Sequence, residues 1–461
     1  MIELSLGEIC TAISGELIVG DPASRVSGNV STDSRELGPG DIFFAKIGEK
    51  DDGHRFLPDV AAAGIALAVV SKPQPDLGLP QILVSDTVAA LSLLAGHVLE
   101  RLRPAGLIVL GITGSNGKTS TKNMLAAMLS EVGETISPQG SYNNEVGLPL
   151  TVLRITDQTK YLVLEYGAAG LGSISKLASW TKPSVVAVLK VGMAHAGNFG
   201  GVEITAKIKA ELLEFSPQVA VLNQDDPIVS GYQVAGSKVV GFGFDSSADV
   251  RLRKVDLKLT GTEVSLEVFG KELVANLKIL GEHQALNLAA ALAMAVSVGL
   301  DATAAIAAVE KLDYPERWRM QLTKAAAGYW VINDAYNASP ESMRAALQTL
   351  ATLGRQGHRT IAVLGHMAEL GDYSTQEHDQ IGRLVVRYNI DKLYAVGEGS
   401  KLIHMGAMQE GSWDGESEYH ETISAGFDAI REKLTEGDVV LVKASNSTGL
   451  RFLGDDLAGM K

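Results

Sequence analysis

The sequence predicts an α/β protein of three domains, built on mostly parallel sheets flanked by helices. Three observations carry that reading. Short β-branched runs alternate with helical stretches along most of the 461 residues. One such run, Leu107-Ile108-Val109-Leu110, leads through a glycine-rich loop, Gly111 to Ser120, into a helical stretch from Thr121 to Val132. Two breaks, Pro104-Ala105-Gly106 and Tyr314-Pro315-Glu316, divide the chain into pieces of ordinary domain size. The expected domains are residues 1–105, 106–314 and 315–461.

The first domain is expected to be a small α/β unit. It has strand-like Asp41–Ala45, Ala66–Val70 and Gln81–Val84, then a helix over Thr87–Leu102. The second alternates strands at Leu107–Leu110, Tyr161–Leu164, Val185–Val188 and Val219–Leu222 with helices such as Ile204–Phe215. Residues 249–280 alternate apolar and polar positions, with Gly261 and Gly270 as turns, and predict an antiparallel flap. The third repeats the rhythm, with strands at Trp330–Asn333, Thr360–Leu364, Lys392–Val396 and Val439–Val442 and a helix over Glu341–Leu350. That pattern is Rossmann-like. Ligands of such sheets bind beyond the carboxyl ends of the strands.

Composition narrows the function. Net charge is −14 and no block of Lys or Arg stands out, which argues against nucleic-acid binding. Apolar residues make up 46%, enough for a core in each domain. The single cysteine, Cys10, excludes an intrachain disulfide, fits a reducing cytoplasm, and reads as a buried small apolar residue. The N-terminus carries Glu3 and Glu8 without a basic segment, so no signal peptide is expected. The longest apolar run, Leu288 to Leu300, is too short to span a bilayer and predicts a buried helix; no membrane insertion is expected.

The loop Thr113-Gly114-Ser115-Asn116-Gly117-Lys118-Thr119-Ser120 carries the chemistry. Glycines let backbone N–H groups approach phosphates, and the helix start adds partial positive charge. Lys118 can reach the outer phosphates and the Thr119 hydroxyl can ligate Mg²⁺. Gly117 lies six positions after Gly111, where the common P-loop spacing is five, so the loop is a variant. Glu165 ends a strand and reads either as a carboxylate completing that Mg²⁺ site or as a solvated acid. His195, in a Gly/Ala loop, is a metal or phosphate ligand or an ordinary loop histidine. Lys207, Lys209 and Glu211 read as a solvated helix face. His283 and Asn287 share a helix face. Asn287 offers the donor and acceptor an adenine edge requires, or one of the two caps the helix. Asp334 is a ribose or phosphate contact in a loop that also starts a helix at Ser339-Pro340.

These segments, in this order, resemble the Mur ligase family over nearly the whole chain. The resemblance rests on Ser31-Thr-Asp33-Ser34-Arg35, Asp52-Gly53-His54, Gly111–Thr119, Ser141-Tyr-Asn143-Asn144, Glu165-Tyr-Gly167, Gly192-Met-Ala-His195, Arg317-Trp-Arg319, Asn333–Pro340 and Leu364-Gly365-His-Met367. It implies ATP-driven amide ligation through an acyl phosphate, with Mg²⁺, by a monomer. The implied partners are UDP-N-acetylmuramoyl-tripeptide and D-alanyl-D-alanine. Lys118, His195 and Lys209 would be catalytic. Lys209 would be carbamylated and would bind metal with Thr119, Glu165 and His195. Asn287, Arg319 and Asp334 would complete the ATP site. Ser34 and Arg35 would contact the uridine diphosphate. Asn143, Asn144, Tyr336 and Asn337 would contact substrate. The rivals are a Mur-type ligase adding a single amino acid, a folylpolyglutamate-like ligase and a non-catalytic nucleotide-binding homologue. The chain departs from the family pattern at Ala169, Gly170, Lys190, Asn198, Ser339 and Asn446.

Overall fold

The computed structural model describes residues 1–48, 51–193, 199–312, 316–411 and 416–460. The chain is mixed α/β, and its contacts gather it into two compact units. One holds Met1–Ile112, Val132–Ala168 and Ser173–Val185; the other holds Thr113–Glu131, Ala169–Gly172 and Val186–Lys461.

In the first unit a five-stranded sheet runs in the order Glu16–Val19, Gln81–Leu83, Leu67–Val70, Ile42–Phe44, Val30–Ser31. Only the pairing of Glu16–Val19 is antiparallel. All four residues of Leu67–Val70 are buried, as a strand covered on both faces must be. The helix Thr87–Leu102 matches its expected bounds. Asp86 caps it by accepting the Val88 and Ala89 N–H groups at 2.8 and 3.1 Å. A second set of parallel strands places Thr159–Glu165 between Ile108–Thr113 and Glu134–Ile136. Its register sets Glu165 beside Ile112, at the carboxyl ends of both strands.

In the second unit Val219–Asn223, Lys238–Gly243 and Val250–Lys258 pair in parallel. Val250–Lys258, Gly261–Val268 and Lys271–Leu277 then form the expected antiparallel flap. The buried Ala-rich helix spans Glu282–Ser297. A six-stranded sheet runs Gln321–Lys324, Trp330–Asn333, Val439–Lys443, Thr360–Leu364, Lys392–Val396, Ser417–His420, with every pairing after the first parallel.

Several boundaries differ from expectation for local reasons. The helix after the glycine loop spans Lys118–Ser130 and starts early, because Gly117 turns the chain in left-handed geometry at φ +87°. The helix expected over Ile204–Phe215 is Val202–Ala210, tightening into a 3₁₀ turn at Glu211–Leu213. Gly261 is no turn but opens a strand, paired with Lys258. The supposed linker at Pro104 is a 3₁₀ turn, Arg103–Ala105, and the Arg103 guanidinium donates to the carbonyls of Thr181 and Lys182. Cys10 is only half-buried. The break at Tyr314-Pro315 lies outside the described residues.

One buried histidine makes the fold pH-sensitive. His378 Nε2 accepts the Met367 N–H at 2.9 Å, so the proton sits on Nδ1, which donates to the Ser374 carbonyl at 2.7 Å. Burial, opposed by the Ser374 bond and aided by the stacked His366, lowers its pKa from 6.5 to about 4. The unfolded chain therefore binds more protons in that window. Stability from this residue is full above the ordinary histidine value and falls as pH drops towards 4. We expect urea unfolding to show a smaller stability loss between about pH 7 and about pH 4.5 in His378→Leu than in the wild type. An equal loss would remove His378 from the account.

Candidate active site

The glycine loop is held by its neighbours rather than by its own turns. The Ser115 N–H donates to the Lys190 carbonyl at 2.8 Å, and the Ser115 hydroxyl accepts the Gly192 N–H at 2.9 Å. Thr113 ends its strand fully buried. A Cβ at Gly114 would come within 3.0 Å of Leu189, and one at Gly117 within 2.3 Å of Asn287 Oδ1. Only glycine fits that approach. Lys118 folds back so that Nζ donates to the Gly114 carbonyl at 2.8 Å, which sets its ammonium over the cradle. Thr119 and Ser120 lie buried at the helix start.

Asn287 stands in the second turn of Glu282–Ser297. The helix begins at Gly281 without a side-chain cap, so the capping alternative falls away. Its Nδ2 donates to Gln284 Oε1 at 3.0 Å, and its Oδ1 accepts the Thr121 hydroxyl at 3.4 Å. Burial pushes the His283 imidazole down to about 4, so it is neutral at pH 7.

A cavity within this unit brings many of the expected residues together. Asn116, Gly117, Ser120, Asn287, Arg319, Asp334 and Asn337 all line it. Leu189, Phe242 and Leu286 supply apolar walls, and Asn223 and His283 supply polar edges. Flat apolar walls with a few fixed polar groups suit a nucleoside, and the helix start at Gly117 suits its phosphates.

Asp334 is fixed by a residue that sequence reasoning missed. Lys443 Nζ lies 2.5 Å from Asp334 Oδ2 and also donates to the carbonyls of Asn337 at 3.0 Å and Asp334 at 3.3 Å. Burial lowers the Lys443 pKa, and the Asp334 carboxylate opposes that. The helix start after Asp334 belongs to Ser339, whose hydroxyl caps Pro340–Arg355 and donates to Asn116 Oδ1 at 3.2 Å. Glu341 was also missed. It lines the same cavity and accepts the Met193 N–H at 2.6 Å. The Arg319 guanidinium lies 4.4 Å over the Tyr336 ring, which stacks on Trp318. Tyr336 and Asn337 line a second cavity with Ser339, Glu369, Ser445 and Asn446, beyond the carboxyl ends of the C-terminal strands.

The other expected residues are placed separately. Glu165 is buried, and its Oε1 accepts from Asn143 Nδ2 at 2.8 Å. Asn144 is engaged locally, accepting the Val146 and Gly147 N–H groups. Lys209 is only 3% exposed, which overturns the solvated-face reading for it, while Lys207 is exposed. Glu211 is buried too, and accepts the Gly172 N–H at 2.6 Å. Ser34 opens a 3₁₀ turn capped by Asp33. The exposed Arg35 guanidinium grips Asp33 at 2.8 and 2.5 Å, and that bond with the Arg35 N–H draws the carboxyl down to about 2. His195 and Asn198 lie outside the described residues.

The strand–glycine loop–helix unit and its cavity define a nucleotide-binding α/β protein. Comparison with known families places it further. The Mur ligase middle domain matches residues 112–295, the Mur ligase glutamate ligase domain residues 318–446, and the Mur ligase family catalytic domain residues 27–97. The chain belongs to the Mur ligase family. It is similar to the UDP-N-acetylmuramoyl-tripeptide–D-alanyl-D-alanine ligases of Mycobacterium bovis, at 39% identity over 99% of this chain and 98% of the relative, and of Escherichia coli, at 34% over 98% and 97%. Among solved structures it resembles MurF from Acinetobacter baumannii, with a TM-score of 0.89 and 30% identity over 99% of each chain. It also resembles MurF ligase from Thermotoga maritima in complex with ADP, with a TM-score of 0.82 and 26% identity over 94% of this chain and 97% of that one.

Two outcomes follow from this geometry. Gly117→Ala drives a methyl into Asn287 and forces a positive φ, so ADP affinity by calorimetry is expected to fall about tenfold or more with the fold retained. Unchanged affinity would mean the loop relaxes freely. Lys443→Ala leaves Asp334 without its buried partner and is expected to destabilise by roughly 3–5 kcal/mol. Adding Asp334→Asn should restore part of that, and strictly additive losses in denaturant unfolding would refute the coupling.

Proposed function

We propose that this chain is an ATP-dependent ligase joining D-alanyl-D-alanine to UDP-N-acetylmuramoyl-tripeptide, releasing ADP and phosphate. The observation that carries the reading is the cavity where the glycine loop, Asn287, Arg319 and Asp334 meet. The full-length relatives of that name supply the substrates. We place the domain boundaries near residues 105 and 314, and the protein as a cytoplasmic monomer.

A carboxylate resists amine attack because its oxygen is a poor leaving group. Attack of the tripeptide carboxylate on the γ-phosphorus of ATP forms an acyl phosphate and releases ADP. The dipeptide amine then attacks the acyl carbon, and phosphate leaves as the amide forms. Little covalent work falls to the protein; positioning and charge stabilisation suffice. Loop N–H groups and Lys118 meet the transferring phosphoryl charge, and Arg319 joins them from the C-terminal part.

The resemblance to Mur ligases also implies divalent metal. Glu165 is a buried carboxylate and Lys209 a buried lysine. Carbamylation would turn Lys209 into an anionic oxygen ligand. Thr119, Glu165, His195 and carbamylated Lys209 would hold Mg²⁺, which supplies neutralising charge to phosphate oxygens.

Phosphate release should require the UDP-linked tripeptide and D-alanyl-D-alanine together, with the product mass rising by one dipeptide less water. Release with a single amino acid would move the enzyme to another step, and no release despite ATP binding would leave only a nucleotide-binding role. Lys209→Ala should abolish turnover and regain part of it with short carboxylic acids. Full activity in that variant would remove the carbamate.

A further inference from the structure

Glu341 is half-used. Its Oε1 accepts the Met193 N–H at 2.6 Å, which fixes the carboxylate in place. Its Oε2 is buried with no hydrogen-bond partner among the described residues. A buried carboxylate oxygen left unsatisfied costs more than an ordinary lost hydrogen bond. The side chain lines the cavity that also holds Asn287 and Phe242. An acceptor fixed in a ligand cavity without a donor fits a donor brought by the ligand.

The chemistry of the donor is restricted. Phosphate oxygens are anionic acceptors and would be repelled by Glu341. They already have a cradle at Asn116–Ser120. The remaining donors of an adenine nucleotide are the ribose hydroxyls and the exocyclic amine. We infer that Glu341 is a nucleoside-recognition residue, its free oxygen accepting a ribose hydroxyl or the adenine amine. The inference rests on the ATP-site reading of the cavity. It extends that reading by making one residue at the start of Pro340–Arg355 both a nucleoside contact and a tie to the 191–193 segment, so nucleotide binding fastens the two together.

The test is calorimetric binding of ADP, 2′-deoxy-ADP, 3′-deoxy-ADP and inosine diphosphate to the full chain, wild type and two variants. Glu341→Gln keeps an oxygen for Met193 and replaces the free acceptor by a donor. Glu341→Ala removes both, and thermal melting confirms that each variant is folded. The wild type should lose about tenfold or more in affinity for the one analogue lacking the partner group, and Glu341→Gln should lose that discrimination. If the amine is the partner, Glu341→Gln should prefer inosine diphosphate, because its new N–H₂ meets the ring carbonyl. Equal ranking of all four nucleotides by the wild type and Glu341→Gln would overturn the inference while leaving the ATP site standing. No binding of ADP by the wild type would overturn the ATP site and the inference with it.

Discussion

The ammonium of Lys443 organises the half of the site that lies beyond the glycine loop. Its three contacts, to the Asp334 carboxylate and the carbonyls of Asp334 and Asn337, fasten the segment that follows the strand Trp330–Asn333. From that segment Asn337 reaches both cavities, Ser339 reaches Asn116, and Glu341 reaches Met193. A buried ion pair is poor evidence of net stability, since desolvation offsets most of the attraction. Its value here is geometric. A cation with three protons in fixed directions sets the path of the chain where loose backbone would blur the cavity. The neighbouring His283 is held neutral by burial, so the imidazole adds no further charge beside Asp334.

Most of this was legible in the sequence where the signal was local. Strand, glycine loop and helix follow one another without interruption, so Thr113 to Ser120 could be assigned from spacing and conformational freedom alone. Trp330–Asn333, Thr360–Leu364 and Lys392–Val396 were legible because buried parallel strands read as short, mostly apolar runs. Asn287 needed only helical periodicity. The resemblance to Mur ligases supplied what no local pattern could, the pairing of Arg319 and Asp334 with a loop some two hundred residues earlier.

What escaped notice was long-range or conformational. Lys443 looks like an ordinary lysine at a strand end. Its role appears only when parallel pairing sets Val442 beside Asn333, which brings Asp334 next to it. Lys443 ends one strand and Asp334 directly follows its parallel neighbour, so the register alone sets the two charges side by side. Glu341 gave no such signal, because a glutamate in the first turn of a helix is favoured by the helix dipole alone. By charge pattern alone Lys209 fell on a solvated face, because its helix is short and mixed and charge content cannot say which lysine faces inward; only the resemblance to Mur ligases set it in a site. An arginine does lie close to the departure at Asn446. Arg451 donates to the Asn446 carbonyl and lies over the rings of Trp318 and Phe452, so its guanidinium serves packing there and lines neither cavity.

The arrangement also resolves an apparent conflict between an acidic chain and anionic substrates. A net charge of −14 repels nucleotides only over distances within which salt does not screen it, about 8 Å at physiological ionic strength. Inside the cavity the balance is local. Lys443 is neutralised by Asp334, which leaves Arg319 and Lys190 against Glu341. Lys190, one of the departures from the family pattern, and Glu341 both belong to that lining. The two charges offset each other, so the site gains a fixed acceptor without losing its attraction for phosphate. Net charge therefore says little about which small anions a local cavity of this protein can hold. The sign of the field at Gly117 is set by oriented N–H groups and a few cations held within reach of it.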